Sequence, residues 1–444
     1  MFFNLIIRKS QHFFYKIYNK SFVLKNLDWL VFFNILAIIL TSTFAQSDTI
    51  GYFAIFMVVL TILKIFVKTG ERILFTNSDK FLLIYFLILL ISLAGSSLFW
   101  LSLKGFFKYF IYLGFYISFV YYLKDNKSKL KYILLALAFS VFTESIIAFK
   151  QNFISVSEIS GWQDMTRLNP EEVMTRVYGS IKPYNPNLFG GYLLSALPSS
   201  LVLTFLPLIN KHYKTAIFGF ICFLLGILSL IMTGCRGAYL GLVAQLILFA
   251  ILTYRLLKPV YKKIFLFLSG IFTLLAMFLI SLTASLRARF FSIFAMRSDS
   301  SNSFRFNVYN SCIEMFKDNW LLGIGLGNQN FREIYGLYMK TGFDALSAYN
   351  IYLEIAVESG IFALLAFLMF IINLVSKAII FINKNRNIEI IYLSIALVSI
   401  SGVLIHGLVD TVFFRPQIQF IFWIMLGIIR VITAPRGIYD RKRN

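Results

Sequence analysis

Hydrophobic residues occur along this chain in long, nearly unbroken blocks that short polar segments separate. A helix needs about 20 consecutive apolar residues to cross a bilayer, and the blocks reach or approach that length. Membrane β-strands would instead alternate apolar and polar positions, which these blocks do not do. The pattern therefore predicts about twelve transmembrane helices. The predicted spans are 27–45, 50–67, 81–98, 106–123, 132–149, 187–208, 215–233, 237–254, 264–282, 349–376, 389–409 and 417–434.

The composition supports the same fold class. Hydrophobic residues make up 59% of the chain and charged residues only 14%, whereas soluble domains carry about 25% charged residues. Within lipid, only helices and closed barrels satisfy their backbone groups. We therefore predict an all-α fold, a polytopic membrane helical bundle of about 12 transmembrane helices with a long external loop that carries amphipathic helices. The three cysteines form no CxxC pair, so no metal site and no cofactor are expected.

The net charge of +22 is explained by membrane topology rather than by nucleic-acid binding. Lys and Arg accumulate in the cytoplasmic loops of membrane proteins, and here they concentrate on one side of the alternating spans. This bias places both termini in the cytoplasm and the loops 150–186 and 283–348 on the external or periplasmic side. We expect a multi-pass protein of the plasma (inner) membrane that contacts the lipid bilayer and binds no nucleic acid. Its oligomeric state stays open.

The polar interruptions divide the chain into seven segments of different character. The first is basic and aromatic, as in a helix that lies in the membrane interface. The segments are a cytoplasmic basic interfacial segment (1–26), an N-terminal transmembrane scaffold (27–149), a first external loop (150–186), a core group of transmembrane helices (187–282), a long external loop (283–348), the C-terminal transmembrane helices (349–434) and a cytoplasmic tail (435–444).

The loop 283–348 is the longest polar interruption, and it carries several cations. Stretches with one apolar face predict amphipathic helices at Ser303–Phe316 and Asn328–Met339, which would lie on the membrane or cover the bundle. The glycine-rich run Gly323–Gly327 precedes the second helix. Either its backbone N–H groups receive a phosphate at the helix N-terminus, or the run is a plain turn into that helix.

Two arginines are candidates for binding an anion. Arg236 lies beside glycine at the junction of two spans, and Arg305 lies at the start of the first loop helix. The helix macrodipole does not favour a cation at that place. A guanidinium offers two parallel donors to a phosphate or carboxylate. In the alternative interpretation, Arg236 extends to the membrane interface and Arg305 is a solvated loop residue.

Carboxylates within one span are further candidates. Glu354 and Glu358 are spaced i, i+4 near the start of the span that Tyr349 and Asn350 open. Charged groups inside a membrane are costly and are functional candidates for that reason. We expect both carboxylates to face a cavity of the bundle, where they accept protons or pair with an arginine.

The remaining polar candidates also lie near the outer ends of spans. His406 and Asp410 are again spaced i, i+4, which suits proton transfer or a structural hydrogen bond. Asn187 follows a proline and is expected to cap the next span. We expect the loop 283–348 to cover one outward cavity that binds a ligand with an anionic head and a lipid tail. Its expected lining is Arg236, Arg305, Tyr349, Asn350 and Asp410.

Together these motifs resemble the O-antigen ligase/polymerase superfamily of lipid-linked glycan transferases, and more closely its cyanobacterial bicarbonate-transporter branch (IctB-type). The resemblance extends over most of the chain. It rests on Tyr184–Leu193 (YNPNLFGGYL), Gly234–Ala238 (GCRGA), Arg305 with Asp318–Gly327 (DNWLLGIGLG), and Ala345–Gly360.

The resemblance implies a metal-independent glycosyltransferase, a lipid-linked glycan ligase or polymerase. Such enzymes take a glycan from a polyprenyl pyrophosphate at the external face and pass it to an acceptor glycolipid or glycan. Residues matching Arg236 and Arg305 bind the pyrophosphate. The family has His, then Asn and, after nine residues, Gly at the mouth of the helix below the long loop. This chain keeps Asn350 and Gly360 but has Tyr349 in the His position.

On this basis we assign a catalytic set and a substrate-binding set. Tyrosine has a pKa near 10 and is a poor base at neutral pH, so Glu354 or Glu358 would replace the missing base. The branch name implies an alternative, bicarbonate transport or a supporting role in carbon uptake, and a non-catalytic assembly factor is a third possibility. The catalytic set is Arg236, Arg305 and Tyr349; the substrate-binding set is Asn187, Asn350, Glu354, Glu358 and Asp410.

The charge bias makes a direct prediction about topology. A reporter fused at Asp299, inside the long loop, should behave as external because the cytoplasmic segments carry most of the positive charge. Alkaline phosphatase and green fluorescent protein fusions at this position measure the sidedness. A cytoplasmic signal would contradict the predicted topology.

Overall fold

The computed structural model describes residues 2–68, 76–152, 174–295 and 299–434. These ranges contain helices and no strand, which confirms the all-α bundle. Ten of the helical segments are long and apolar enough to cross a membrane, and two shorter apolar helices, Leu27–Thr41 and Pro416–Ile432, accompany them. Most of the first predicted loop (residues 153–173) and the predicted tail (435–444) lie outside the described residues.

The helices follow the predicted blocks closely. The N-terminal part contains α1 (Phe2–Lys20), α2 (Phe22–Lys25), α3 (Leu27–Thr41), α4 (Ser47–Val67), α5 (Asn77–Ala94), α6 (Phe99–Leu123) and α7 (Leu130–Gln151). The central part contains α8 (Pro186–Ala196), α9 (Leu201–Ile209), α10 (Tyr213–Met232), α11 (Arg236–Leu256), α12 (Pro259–Leu282) and α13 (Ala284–Phe291). The last part contains α14 (Ser300–Asp318), α15 (Asn328–Tyr335), α16 (Ile351–Lys384), α17 (Glu389–His406) and α18 (Pro416–Ile432).

The two extremes of packing are α18 and α12. Every residue of α18 from Gln417 to Ile432 is buried, and the helix contacts α6, α8 and α17. Its Arg430 forms a two-point ion pair with Asp79 at the start of α5, with the shorter Nη2–Oδ2 distance at 2.7 Å. By contrast, no residue of α12 is buried, although the helix is strongly apolar. The bundle is therefore built around α18, and α12 lies at its periphery.

Helix α16 is interrupted inside the bundle at Gly360, where φ is 79° and ψ is 174°. The chain just after α14 fits into this break. Ile324 donates its N–H to the carbonyl of Val357 over 2.9 Å, and Ile361 donates to the carbonyl of Trp320 over 2.9 Å. Backbone groups that lose their helical partners in an apolar setting need such replacements. The break and the glycine-rich run therefore form one hydrogen-bonded unit.

The run Gly323–Gly327 is a turn whose N–H groups are used within the protein. Gly325 donates to the carbonyl of Glu358, and Gly327 donates to the Glu358 carboxylate, each over 3.0 Å. Leu326 donates to the hydroxyl of Ser102 on α6 over 2.6 Å. The plain-turn interpretation is thus correct for these groups, and the phosphate-binding alternative is wrong for them because their donors are already taken.

The two loop helices differ in length from the prediction. Helix α14 begins at Ser300, so Arg305 lies in its second turn and does not open it. Helix α15 ends at Tyr335, earlier than predicted. Apolar side chains of both helices form a small core together with the start of α16, so the loop covers the bundle rather than lying on the membrane. This core comprises Val308, Cys312, Met315, Ile324, Phe331, Tyr335, Ala345, Ala348 and Val357.

The break in α16 predicts a large effect of Gly360→Ala. The backbone there is in a region that is essentially restricted to glycine and costs other residues about 1–3 kcal/mol, and an added Cβ would collide with the carbonyl of Leu321. We expect a lower thermal stability of the purified protein in detergent, measured by size-exclusion chromatography after heating. Gly270→Ala on α12 is the matched control, because its Cβ would meet nothing within 4 Å. Equal stability of the two variants would contradict the assigned role of the break.

Candidate functional site

One cavity of about 390 Å³ opens at the end of the bundle that carries the long loop. Several elements that are distant in sequence contribute its walls: the start of α4, the first half of α6, the start of α8, the long loop, and the segment between α17 and α18. Its polar lining includes Asp48, Tyr52, Lys108, Tyr112, Asn185, Asn187, Asn328, Ser347, Tyr349, Asp410, Thr411 and Arg415.

Asp410 is the buried acidic group of this cavity. Its Oδ1 accepts hydrogen bonds from the N–H groups of Thr411 and Val412, over 2.7 and 3.1 Å. Its Oδ2 accepts from the side-chain amide of Asn187 over 3.1 Å. Asn185, not Asn187, caps α8, because its side chain accepts from two N–H groups of the first turn. The expected cap is therefore wrong by two residues, and the Asn187 side chain is available to orient the carboxylate.

Arg305 reaches the same carboxylate from α14. Its Nη2 lies 3.7 Å from Asp410 Oδ2, and its guanidinium carbon lies 5.9 Å from the centre of the Tyr349 ring. The face of an aromatic ring attracts a guanidinium at such a distance. Two of the residues predicted as catalytic, Arg305 and Tyr349, are thus adjacent, with Asp410 beside them.

The backbone of Tyr349 is in the left-handed region, with φ at 51°, and Tyr309 donates its hydroxyl to the Tyr349 carbonyl over 3.1 Å. Burial, and after it the charge of Asp410, raises the pKa of the Tyr349 phenol, although Arg305 acts in the opposite direction. At neutral pH the phenol is therefore protonated and acts as a hydrogen-bond donor.

Arg236 does not line the cavity. Its Nη1 lies 2.8 Å from Asp299 Oδ1 and 3.2 Å from both oxygens of Ser292. Asp299 is also the N-cap of α14, since its carboxylate accepts from the N–H of Asn302. Of the five residues expected to line one cavity, only Tyr349 and Asp410 do so. Arg236 anchors the helix that carries Arg305, and its predicted catalytic role stays a prediction.

The three polar residues at the start of α16 also interact within the protein. Asn350 is the N-cap of α16, and its amide donates to the carbonyl of Leu408. Glu354 accepts from the N–H of Ala348 over 3.0 Å, and Glu358 accepts from the hydroxyl of Tyr109 over 3.0 Å. None of the three is among the residues that line the cavity. Their predicted substrate binding stays a prediction, while their observed contacts hold the loop on the bundle.

His406 and Asp410 do not form the expected pair, since no hydrogen bond joins them among the described residues. Helix α17 ends at His406, and the Nε2 of this residue lies 3.6 Å from the Sγ of Cys235. Four or more groups would be needed for a structural metal site, and the described part of the chain brings no three His, Cys, Asp or Glu side chains together in a suitable way.

Arg176 is a site residue that sequence reasoning missed. Its Nη2 donates to the side-chain oxygen of Asn187 over 2.6 Å, and its Nε donates to the carbonyl of Thr233 over 2.8 Å. It therefore orients Asn187, which in turn holds Asp410. Arg176 lies in a polar loop with other charged residues, and its sequence neighbourhood gives no signal that distinguishes it from Arg167.

Comparison with protein families found a match. Residues 221–368, about a third of the chain, are similar to a family model described as O-antigen ligase. The matched segment contains Arg236, Arg305 and Tyr349 together with the start of α16. The bicarbonate-transporter branch receives no support from these comparisons.

The chain is also similar to a protein of Haemophilus influenzae that is described as uncharacterized. The two are 29% identical over 233 residues, which is 47% of this chain and 55% of the relative. The chain thus matches about half the length of this curated relative.

The Arg236–Asp299 pair predicts strong coupling between its two partners. Removing one partner of a buried pair leaves the other charge uncompensated, so Arg236→Ala and Asp299→Ala should each destabilise the protein. The double variant should lose less stability than the two single variants together, and the difference, the coupling free energy, should be about 0.5–3 kcal/mol. Thermal unfolding of the four proteins in one detergent measures this cycle.

The exposed pair Arg332–Asp344 is the matched control, since its atoms are 2.9 Å apart but both side chains are more than half exposed. Exposed pairs contribute about 0–1 kcal/mol. The stability losses of the two single variants should therefore be nearly additive in the control cycle. Equally additive losses in the Arg236–Asp299 cycle would contradict the anchoring role of Arg236.

Proposed function

We propose that this protein transfers a glycan from a polyprenyl pyrophosphate carrier to a hydroxyl group of an acceptor glycolipid or glycan, within the cavity beneath the long loop. The observation that carries the proposal is the position of Arg305 beside Asp410 and Tyr349, two residues that line a cavity of about 390 Å³ in an apolar bundle. The match of residues 221–368 to an O-antigen ligase model supports it. We place the cavity on the external face, following the charge bias of the sequence.

The chemistry of the donor explains why these residues suit it. A polyprenyl pyrophosphate has an apolar tail, which an apolar bundle accommodates, and an anionic head, which needs cationic donors. Arg305 is held near the cavity by α14, whose N-cap Asp299 is itself fixed by Arg236. In this proposal Arg305 contacts the pyrophosphate, and Arg236 acts as a positioning residue through Asp299.

Transfer then proceeds by a displacement at the anomeric carbon of the donor sugar. The acceptor hydroxyl oxygen forms the new bond to this carbon, the bond from the carbon to the phosphate oxygen breaks, and its electron pair leaves with the pyrophosphate. Arg305 stabilises the charge that develops on the leaving group. The protonated Tyr349 phenol donates a further hydrogen bond to it.

Asp410 is the group best placed to take the proton of the acceptor hydroxyl. Its Oδ2 lies 3.7 Å from Arg305 Nη2. When a phosphate takes Arg305 as partner, this carboxylate remains in the cavity with Asn187 and the two N–H groups as its support. Glu354 and Glu358 are less suitable bases because, unlike Asp410, they do not line the cavity.

The two other candidate functions are not favoured. Bicarbonate transport rested on the branch name, which the comparisons do not support. A non-catalytic assembly role rested on the tyrosine at position 349. In this proposal Tyr349 acts as a hydrogen-bond donor beside Arg305, and Asp410 accepts the proton. A tyrosine in the position of the family's histidine is then compatible with glycan transfer.

The proposal predicts that Arg305→Ala abolishes glycan transfer while the protein still folds. Loss of one donor to a developing oxyanion lowers rates by about 10²–10³-fold. The purified chain in liposomes, supplied with a polyprenyl-pyrophosphate oligosaccharide and a glycolipid acceptor, allows the product to be quantified by mass spectrometry. Asp410→Asn should give a loss of similar size, because the amide keeps the shape but cannot accept the proton.

The control for this experiment is Arg332→Ala, which removes an exposed arginine of the same loop that lies outside the cavity lining. It should transfer at the wild-type rate. Thermal stability of all variants verifies folding. Wild-type transfer by Arg305→Ala, or an unchanged surface glycan in cells that carry only this variant, would contradict the proposal.

A further inference from the structure

Two cations of the cavity have no carboxylate partner among the described residues. They are Lys108, near the start of α6, and Arg415, the residue just before α18; both line the cavity and both are exposed to it or to solvent. The other arginines nearby differ, because Arg236 is paired with Asp299 and Arg305 with Asp410. Among the described residues, the cavity cations that form no ion pair thus lie on the wall formed by α6 and the start of α18.

The start of α18 adds to the positive potential of this wall. The helix has 17 residues and begins at Pro416, which lines the cavity beside Arg415. A helix N-terminus carries a partial positive charge and favours an anion. Two cations that form no ion pair within the described part of the chain, and a helix N-terminus, thus lie at one cavity at the edge of an apolar bundle. An anionic ligand group would stabilise this arrangement.

The same cavity offers contacts suited to a sugar ring. Asp48 and Tyr52 of α4 lie on its wall, as does Asn328 at the start of α15. Carboxylate and amide groups bond to hydroxyls, and the aromatic side chain gives an apolar face with a polar tip. None of these groups is needed by the Arg305–Asp410–Tyr349 cluster, so they form a second set of contacts in the same space.

We propose that Lys108 and Arg415, with the N-terminus of α18, bind an anionic substituent of the sugar that occupies this part of the cavity. The protein would therefore act on an acidic glycan, one whose sugar carries a carboxylate or a phosphate group. That the bound molecule is a glycan rests on the proposed function. The anion subsite itself rests on the cavity and on Lys108 and Arg415, which form no ion pair in the ranges that the structure describes.

The test measures binding of three probes to the full chain in lipid nanodiscs: glucose, glucuronate and glucose 6-phosphate. Titrations followed by saturation-transfer NMR should show that at least one acidic sugar binds more tightly than glucose. Of the two acidic sugars, the one that binds more tightly identifies the anionic group. The double variant Lys108→Ala Arg415→Ala should lose about tenfold or more of this affinity, which corresponds to about 1.4 kcal/mol. Added salt should weaken the wild-type binding, because both cations are exposed.

The matched control is Lys104→Ala Lys340→Ala, which removes two exposed cations outside the cavity lining and gives the same net charge. It should bind the acidic sugars like the wild type. The inference is overturned if neither acidic sugar binds more tightly than glucose, or if the control variant loses as much affinity as the cavity variant.

A third variant separates this inference from the proposed function. Arg305→Ala should abolish transfer yet keep the acidic-sugar binding, since Arg305 is not on the wall of Lys108 and Arg415. If the wild-type protein binds acidic sugars through these two cations but has no transferase activity, the proposed function is contradicted and the anion subsite is supported. If the protein transfers neutral and acidic glycans at equal rates and does not bind the acidic sugars through these cations, the anion subsite is contradicted and the proposed function is supported.

Discussion

The position of the whole site depends on one constraint: backbone groups freed inside an apolar bundle must find other partners. Helix α16 breaks at Gly360, and the turn that follows α14 supplies the missing hydrogen bonds. This fixes a long polar loop to the bundle at a defined height. The turn also leads directly into α15, whose first residue reaches the cavity. Without the break, the loop would have no fixed register against the helices that complete the cavity.

The electrostatics of the site are largely balanced by the protein itself. Arg236 and Arg305, the two arginines first suspected of binding a ligand, each have an aspartate of the protein as partner. The two pairs differ in strength, because the first has its atoms at 2.8 Å and the second at 3.7 Å. A phosphate competes more easily for the looser pair. This difference separates a positioning arginine from one that can exchange its partner for a ligand.

The sequence was most informative where physics sets a sharp threshold. The length needed to cross a bilayer is such a threshold. The hydrophobic blocks located the membrane-spanning helices, with helix ends that differ from the predicted ones by up to eight residues. The glycine-rich run predicted a turn, but its partner at Val357 and Glu358 is more than thirty residues further along, and no local pattern indicates it. The pairing of Arg236 with Asp299 and of Arg176 with Asn187 was equally invisible, because it depends on how distant segments meet. Asp410, Arg305 and Tyr349 were predicted to meet, and they do.

The exposure of α12 has a consequence for the substitutions that this chain tolerates. No side chain of α12 is buried, although the helix is strongly apolar. Only the general hydrophobicity of this helix is under constraint, since lipid accepts any apolar side chain without a matching surface. The shape of α18, which is buried along nearly its whole length, must be kept, whereas apolar substitutions along α12 should be tolerated. A poor alignment along this helix would then carry no information about whether two such proteins share a function.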